Sequence, residues 1–312
     1  MASHPSFSIV APVYGVERYI ANCADSLLGQ TYDNIQFIFV NDGTKDASIA
    51  LLEKLIDEKY SFLKDRIVIV NKHNEGLPAA RRTGMEYVTG DYVLHVDSDD
   101  WVEKDMVAKI AAKAVETDSD VIYFDFYKEY SSRSKLDREK DYTADSKMKF
   151  IWGLFNYKAY GYVWNKCVKR SVYEKNDIRF PSYGMHEDIY LMAQLLYCAD
   201  SIVHLPEALY HYRRDNPGSI SAAKTKNRRR DSAMNMMDLY ERYRNDLYNS
   251  PIRDSYGEIL LRTGWLSIRY GFGFFEKYPY LAESIRKQPL SFRNKTFILW
   301  QLITKIYAMI KR

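Results

Sequence analysis

The first 130 residues alternate short apolar runs with amphipathic stretches. Phe7–Val13, Ile35–Val40, Ile67–Val70 and Tyr92–Val96 are mostly aliphatic or aromatic, the pattern of strands buried on both faces. Between them, Val16–Gly29 sets Tyr19, Ile20, Cys23, Ser26 and Leu27 at helical spacing. Ala47–Tyr60 does the same with Ile49, Leu52, Leu55 and Ile56, and Leu77–Val88 is a third helical stretch. Such alternation predicts an α/β chain built on a Rossmann-like, mainly parallel sheet flanked by helices.

The pattern then loosens. Val121–Tyr127 predicts another strand, and the polar residues 131–147 predict a loop. Met185–Cys198 has helical spacing, and Ile202–Arg213 reads as two short strands joined at Pro206. From Ala222 onward the spacing is helical with basic residues throughout. The organisation expected is a catalytic region over 1–221, divided at about 105, followed by a basic helical extension over 222–312.

Charge supports that division. Of 45 Lys+Arg and 41 Asp+Glu in 312 residues, 18 and 8 fall in 222–312, a balance of +10 there against −6 in 1–221. Arg228-Arg229-Arg230 is a tight basic cluster without a nucleic-acid-binding motif beside it, so no nucleic-acid partner is expected. Cys23, Cys167 and Cys198 show neither metal-type nor disulfide-type spacing, which fits a reducing cytoplasm. Residues 1–10 lack a secretory pattern.

The chemistry concentrates where apolar runs end. Tyr92–Val96 closes on Asp97-Ser98-Asp99-Asp100-Trp101. Three carboxylates in four residues repel one another unless a cation intervenes. A D-x-D at the C-terminal edge of an α/β sheet therefore suggests a metal–diphosphate site. The alternative is that Asp99 or Asp100 caps a helix beginning near Val102. Asp42 follows the second strand run as either a base or ribose acceptor or an Asx-turn before Gly43. Glu187-Asp188 opens the Met185–Cys198 helix and supplies carboxylates for general-base work, or simply favours a helix N-terminus. The first strand–helix turn lacks G-x-G-x-x-G, which argues against a dinucleotide oxidoreductase.

In order, the chain reads S-I-V-x-P-V-Y, V-N-D-G-T-x-D-x-S, N-x-G-L-x-x-A-R and G-D-Y-V-x-x-V-D-S-D-D-W. This series resembles the family 2 glycosyltransferases of the GT-A fold, particularly those building bacterial capsule and other surface polysaccharides. The close resemblance covers residues 7–105, with a looser one over 160–221.

The resemblance implies a metal-dependent, inverting hexosyl- or N-acetylhexosaminyltransferase. Its donor would be a nucleotide-sugar, expected to be a UDP-sugar, and its acceptor a glycan or lipid-linked glycan. It places Pro12, Tyr14 and Glu17 beside the base, Asp42 on the base, and Arg81 near the nucleotide and phosphates. Asp99 would ligate Mn²⁺ or Mg²⁺, with Asp97 and Ser98 nearer the ribose or sugar and Asp97 a second metal ligand. Asp188 would be the general base, with Glu187 the alternative. Trp164 could stack on an acceptor sugar and Asn165 bond its hydroxyls, although Trp164 also suits a core. Arg213, in His211-Tyr212-Arg213-Arg214, would contact phosphate. Asn216-Pro217-Gly218 makes His211–Ser221 a candidate lid.

Two positions depart from the family pattern: Gly15 and Arg82 each stand where Asn is usual. A non-catalytic nucleotide-binding subunit of a glycan-assembly complex is the alternative in another class. In the last helical stretch, Leu299, Leu302, Ile303, Ile306 and Ile310 share a face flanked by Lys and Arg. That combination suits peripheral contact with an anionic membrane, here its cytoplasmic face.

Overall fold

The computed structural model describes residues 4–142, 147–155, 158–182 and 186–219, with seven isolated positions between 231 and 243. The chain divides into two compact units, Met1–Thr225 and Lys226–Arg312. The fold described here is that of the first. The expected C-terminal helices, their apolar stripe and the cluster Arg228-Arg229-Arg230 lie outside the described residues, as do Ile220 and Ser221.

Strands β1 (Phe7–Val13), β2 (Ile35–Asn41), β3 (Ile67–Asn71) and β4 (Tyr92–His95) arise from the four apolar runs. Helices α1 (Ile20–Leu28), α2 (Ser48–Lys59) and α3 (Leu77–Met85) connect them. A two-residue strand β5 (Trp101–Val102) precedes α4 (Met106–Thr117). There follow β6 (Val121–Tyr130), β7 (Arg133–Asp137), α5 (Lys147–Phe155), β8 (Lys166–Lys169) and α6 (Arg170–Glu174). The series closes with α7 (Glu187–Cys198) and β9 (Ile202–Arg213).

One nine-stranded sheet runs β3-β2-β1-β4-β8-β6-β9-β5, with β7 beside β6. β3, β2, β1 and β4 pair in parallel. β8 is antiparallel to both β4 and β6, and β5 is antiparallel to β9. The sheet is therefore a mixed α/β sheet with flanking helices, parallel from β3 to β4, antiparallel where β8 joins β4 and β6, and parallel again between β6 and β9.

Three local expectations change. The helix expected near Val102 begins at Met106, because Trp101 and Val102 pair with His211 and Tyr210 of β9. Asp99 and Asp100 are thus not its caps. The segment expected as a loop over 131–147 contains β7, which forms a hairpin with β6. Ile202–Arg213 is one strand rather than two, and its register on β6 slips where Phe124 faces Leu205 and Asp125 faces Ala208. Pro206 lies in that slip, where a residue without an N–H costs no ladder bond.

The core packs α1, α2 and α4 on one face of the sheet around Phe7, Ile9, Phe37, Leu94, Ile110 and Phe124. On the other face α3 packs against Val10, Ile38 and Val40. Gly84 makes that contact possible, since a Cβ there would lie 2.4 Å from Val10 Cγ1. The same inward face of α3 carries Arg81, three residues earlier. Each buried Leu, Ile or Phe contributes about 1.5–3 kcal/mol, so this aliphatic layer is what fixes the strand ends.

Candidate active site

The site brings Asp97, just beyond β4, together with Glu187 and Asp188 at the start of α7, around one buried guanidinium. Arg81 donates from Nη2 to Asp97 Oδ1 at 2.8 Å and from Nη1 to Asp188 Oδ1 at 2.7 Å, with Glu187 Oε1 at 3.5 Å. Its side chain is 2% exposed. Burial works against its charge, but Asp188, Asp97 and Glu187 outweigh that and hold it protonated. Among the described residues Arg81 Nε has no hydrogen-bond partner. Arg81 was expected near phosphate. In the structure it joins Asp97 of the D-x-D to Asp188 of the second acidic pair, 91 positions further along the chain.

Burial raises both members of that pair. Glu187 rises to about 8, pushed by burial and by Asp188. Asp188 is raised by burial too, but Arg81 opposes the rise. The 2.7 Å charge-assisted bond makes Asp188 the ionised member and leaves the proton on Glu187. Both stand in the first turn of α7, where the helix dipole favours negative charge. The preceding His186 sits at φ 59°, a left-handed conformation that costs a non-glycine residue about 1–3 kcal/mol. Strain of that kind, held beside two carboxylates, is common at sites that work.

The D-x-D loop is tied down from several sides. Ser98 Oγ donates to the Pro12 carbonyl at 2.6 Å. Asp100 is buried and accepts from the Tyr210 hydroxyl at 2.8 Å and from Arg213 N at 2.7 Å. Burial and the neighbouring Asp99 and Asp97 raise its carboxyl far above the usual range. Asp99 is raised by burial and by Asp97, and accepts from Asn216 Nδ2 at 2.8 Å. Asp97 N donates to the Tyr210 hydroxyl at 3.1 Å.

Among the described residues no three His, Cys, Asp or Glu side chains are grouped to hold a metal ion. The donor set still fits a hard cation. Asp97 and Asp99 are crowded carboxylates whose mutual repulsion a divalent ion would relieve, with the remaining ligands supplied by phosphate oxygens.

On the donor side, Asp42 accepts from Lys72 Nζ at 2.8 Å, Glu75 N at 3.0 Å and Gly76 N at 2.8 Å. It therefore shapes the loop after β3. Gly43, at φ +67°, allows that loop close, since a Cβ would meet Asn74 N at 2.9 Å. The turn's side-chain acceptor is Asn41, whose Oδ1 takes a hydrogen bond from Thr44 N at 2.9 Å. Glu17 Oε2 accepts from Ala47 N at 3.1 Å, and Tyr14, just beyond β1, is 52% exposed.

Trp164 and Asn165 need correction. Trp164 is 1% exposed and stacks between neighbours at 4.3 Å from the Tyr210 ring and 4.5 Å from the Tyr162 ring. Asn165 is buried and donates to the Phe124 carbonyl at 3.0 Å. In this geometry neither has a face open to a sugar, so both pack behind the site rather than line it. Sequence reasoning also passed over Lys166. Its buried ammonium donates to the Tyr160 and Tyr162 carbonyls at 2.9 and 3.0 Å and faces Glu139 at 3.8 Å. Burial lowers it to about 8 against the pull of Glu139 and Asp188. A lone Lys after Trp-Asn carries no sequence signal of burial. The role of Tyr210 was equally hidden.

The mixed α/β sheet with flanking helices is a GT-A-type fold, with Asp42 and Asp97 just beyond the ends of its parallel strands. The chain belongs to glycosyl transferase family 2, whose profile matches residues 8–176. It is 34% identical over 215 residues to EpsH of Bacillus subtilis, covering 67% of this chain and 61% of that protein. It is 32% identical over 228 residues to the glycosyltransferase GlyA of Streptococcus pneumoniae, covering 70% of this chain and 32% of that protein. The chain thus spans less than two thirds of the length of these relatives. Its fold is similar to that of S. aureus TarS in complex with UDP-GlcNAc. The TM-score is 0.64 at 18% identity, covering 88% of this chain and 76% of that one. It is also similar to the Pyrobaculum calidifontis mannosyltransferase PcManGT in complex with GDP-Man and Mn²⁺. There the TM-score is 0.58 at 13% identity, covering 97% and 81%. Among the described residues no helix is long and apolar enough to cross a membrane.

Proposed function

We propose that the protein is an inverting glycosyltransferase of bacterial surface-polysaccharide synthesis. It moves a hexosyl or N-acetylhexosaminyl group from a UDP-sugar to a hydroxyl of a glycan or lipid-linked glycan. The observation that carries this reading is Arg81, which gathers Asp97 of the D-x-D and Asp188 of the second acidic pair into one centre.

Mn²⁺ or Mg²⁺ held by Asp99 and Asp97 would supply Lewis-acid neutralisation of the departing diphosphate. Pro12, Tyr14, Glu17 and Asp42 frame the uridine, Asp42 by shaping the loop that holds it. Ser98 fixes the D-x-D turn, and Arg213, at the end of β9, faces the diphosphate with the segment beyond that strand closing over it. Asp188 accepts the proton of the attacking hydroxyl, while Glu187 stays protonated beside it. The acceptor oxygen bonds C1 as the C1–O bond to diphosphate breaks on the opposite face, so an α-linked donor gives a β-linked product. The basic 222–312 region is proposed to rest on the cytoplasmic face of the membrane, close to a lipid-linked acceptor.

Product formation from a UDP-sugar panel with Mn²⁺ or Mg²⁺, read by mass spectrometry, tests the reaction. Activity should vanish in Asp99→Ala and Asp188→Ala proteins that remain folded. Full activity in either overturns the assignment. Flotation with anionic against neutral vesicles tests the membrane contact, which fails if the protein ignores anionic vesicles at low salt.

A further inference from the structure

We infer that Trp101 and His211 are positioning residues for the donor diphosphate, acting through Arg213. The inference rests on the donor reading above.

Trp101 of β5 lies opposite His211 of β9, and Tyr127 of β6 lies opposite His211 on its other side. Residues opposite one another in a sheet share a face, so the three rings stand in a row across three strands. They stack: Trp101 and His211 at 4.9 Å and 8°, Tyr127 and His211 at 4.9 Å and 18°. The imidazole is pinned in its plane as well. Glu129 Oε1 lies 2.7 Å from Nδ1, and Glu103 Oε1 lies 2.9 Å from Nε2. A ring held on both faces and at both nitrogens has one orientation, and it passes that orientation to Trp101.

Arg213 is two residues beyond His211, on the same face of β9. Its guanidinium carbon lies 4.8 Å from the Trp101 ring and 4.8 Å from the Tyr19 ring. Its Nε donates to the Asp99 carbonyl at 2.9 Å, and its backbone N to Asp100 Oδ1 at 2.7 Å. With Nε committed to the D-x-D backbone and the plane set against two rings, the Nη edge is what remains to meet a ligand. The described partner of Nη1 is Asp215 at 3.7 Å. A fork so oriented matches two phosphate oxygens, and an arginine already held in place loses little freedom on binding. The aromatic row thus places a phosphate-binding edge beside the two crowded carboxylates.

A purely structural row would lower stability and leave UDP affinity to Arg213 alone. Calorimetric titration of the full chain with UDP and Mn²⁺ separates the two. Trp101→Leu should weaken UDP about 10-fold, the upper range for losing a partly desolvated cation–π contact. Trp101→Phe, which restores a ring face, should stay within about threefold. Trp101→Leu combined with Arg213→Ala should bind no more weakly than Arg213→Ala alone. His211→Gln keeps polar partners for Glu103 and Glu129 but not the stack, and should behave as Trp101→Leu does; it decides the matter if Trp101→Leu loses its cooperative thermal transition. Wild-type affinity in Trp101→Leu, or additive losses in the double variant, overturns the inference while leaving the donor reading intact. Absence of UDP binding by the unaltered protein overturns both.

Discussion

The two halves of the sheet are built from different materials. From β1 to β4 the buried residues are largely hydrocarbon, with Ile9, Val10, Phe37, Ile38 and Leu94 all at 3% exposure or less. Across β6, β8 and β9 the interior holds Asp125, Glu139, Asn165 and Lys166, and each has a polar partner on the chain. A hydrocarbon layer needs the right volume and tolerates small shifts. A buried polar network needs every partner in place, and a missing one leaves a desolvated group behind. The first half therefore makes a robust shelf for strand ends, whereas the second fixes where its buried polar groups stand.

The comparison breaks most sharply at Asp188. Asp188→Asn should lower kcat by about 10²–10⁴-fold with a much smaller change in UDP affinity, measured by steady-state kinetics and calorimetry. Comparable falls in both would mean that Asp188 serves the donor. Next in size is a matched pair of buried substitutions. Ile38→Ala should cost about 2–5 kcal/mol of unfolding free energy by emptying hydrocarbon volume. Lys166→Met should cost about 3–5 kcal/mol by stranding Glu139 and freeing the Tyr160 and Tyr162 carbonyls. Denaturant unfolding gives the free energies, and kcat of the folded fraction gives the contrast. Ile38→Ala keeps kcat, whereas Lys166→Met loses it. Equal retention by both would erase the distinction between the halves.

A pH series sharpens it further. Glu187 has a folded pKa of about 8, above its ordinary value near 4.5. The folded state therefore binds the extra proton between those values. Its contribution to stability is complete below the lower value and is lost as pH rises through about 8. Stability should fall over that window, and Glu187→Gln should flatten the slope. An unchanged slope removes Glu187 from the account. The smallest effect belongs to the surface: Lys54→Ala, which breaks an exposed i,i+4 pair with Glu58, should shift stability by no more than about 0.5 kcal/mol. A larger change would show that the hydrocarbon half leans on its surface charges.

The same contrast explains what could be read from the chain beforehand. Strands β1 to β4 and the helices between them were legible because each is an apolar run or an amphipathic period that needs no distant partner. β7 was missed because Arg133–Asp137 is charged and exposed, and only its pairing with β6 makes it a strand. Trp101–Val102 was read as the approach to a helix because β9, its partner, lies more than a hundred residues away. In the site, the carboxylates were legible as a group because acidic clusters at strand ends repel and require company. What Arg81 does with them was not, since helical spacing gives no bearing on which distant groups a guanidinium meets. Trp164 stayed open between a sugar platform and a core ring, and Asn165 was placed on acceptor hydroxyls, because an aromatic and an amide read alike in sequence whether they face a ligand or a neighbour's ring.

Arg81 has a further consequence, in the currency of linked equilibria. One guanidinium divides its attraction between Asp97 and Asp188. When Asp188 takes up a proton, Arg81 leans harder on Asp97 and competes more strongly with any cation that binds there. When a cation draws Asp97 away, Arg81 turns to Asp188 and makes it a weaker base. The two effects are one coupling free energy seen from opposite ends, and they must be equal in size. Affinity for a divalent cation at Asp97, followed across pH, should therefore carry the titration of Asp188, relayed by Arg81.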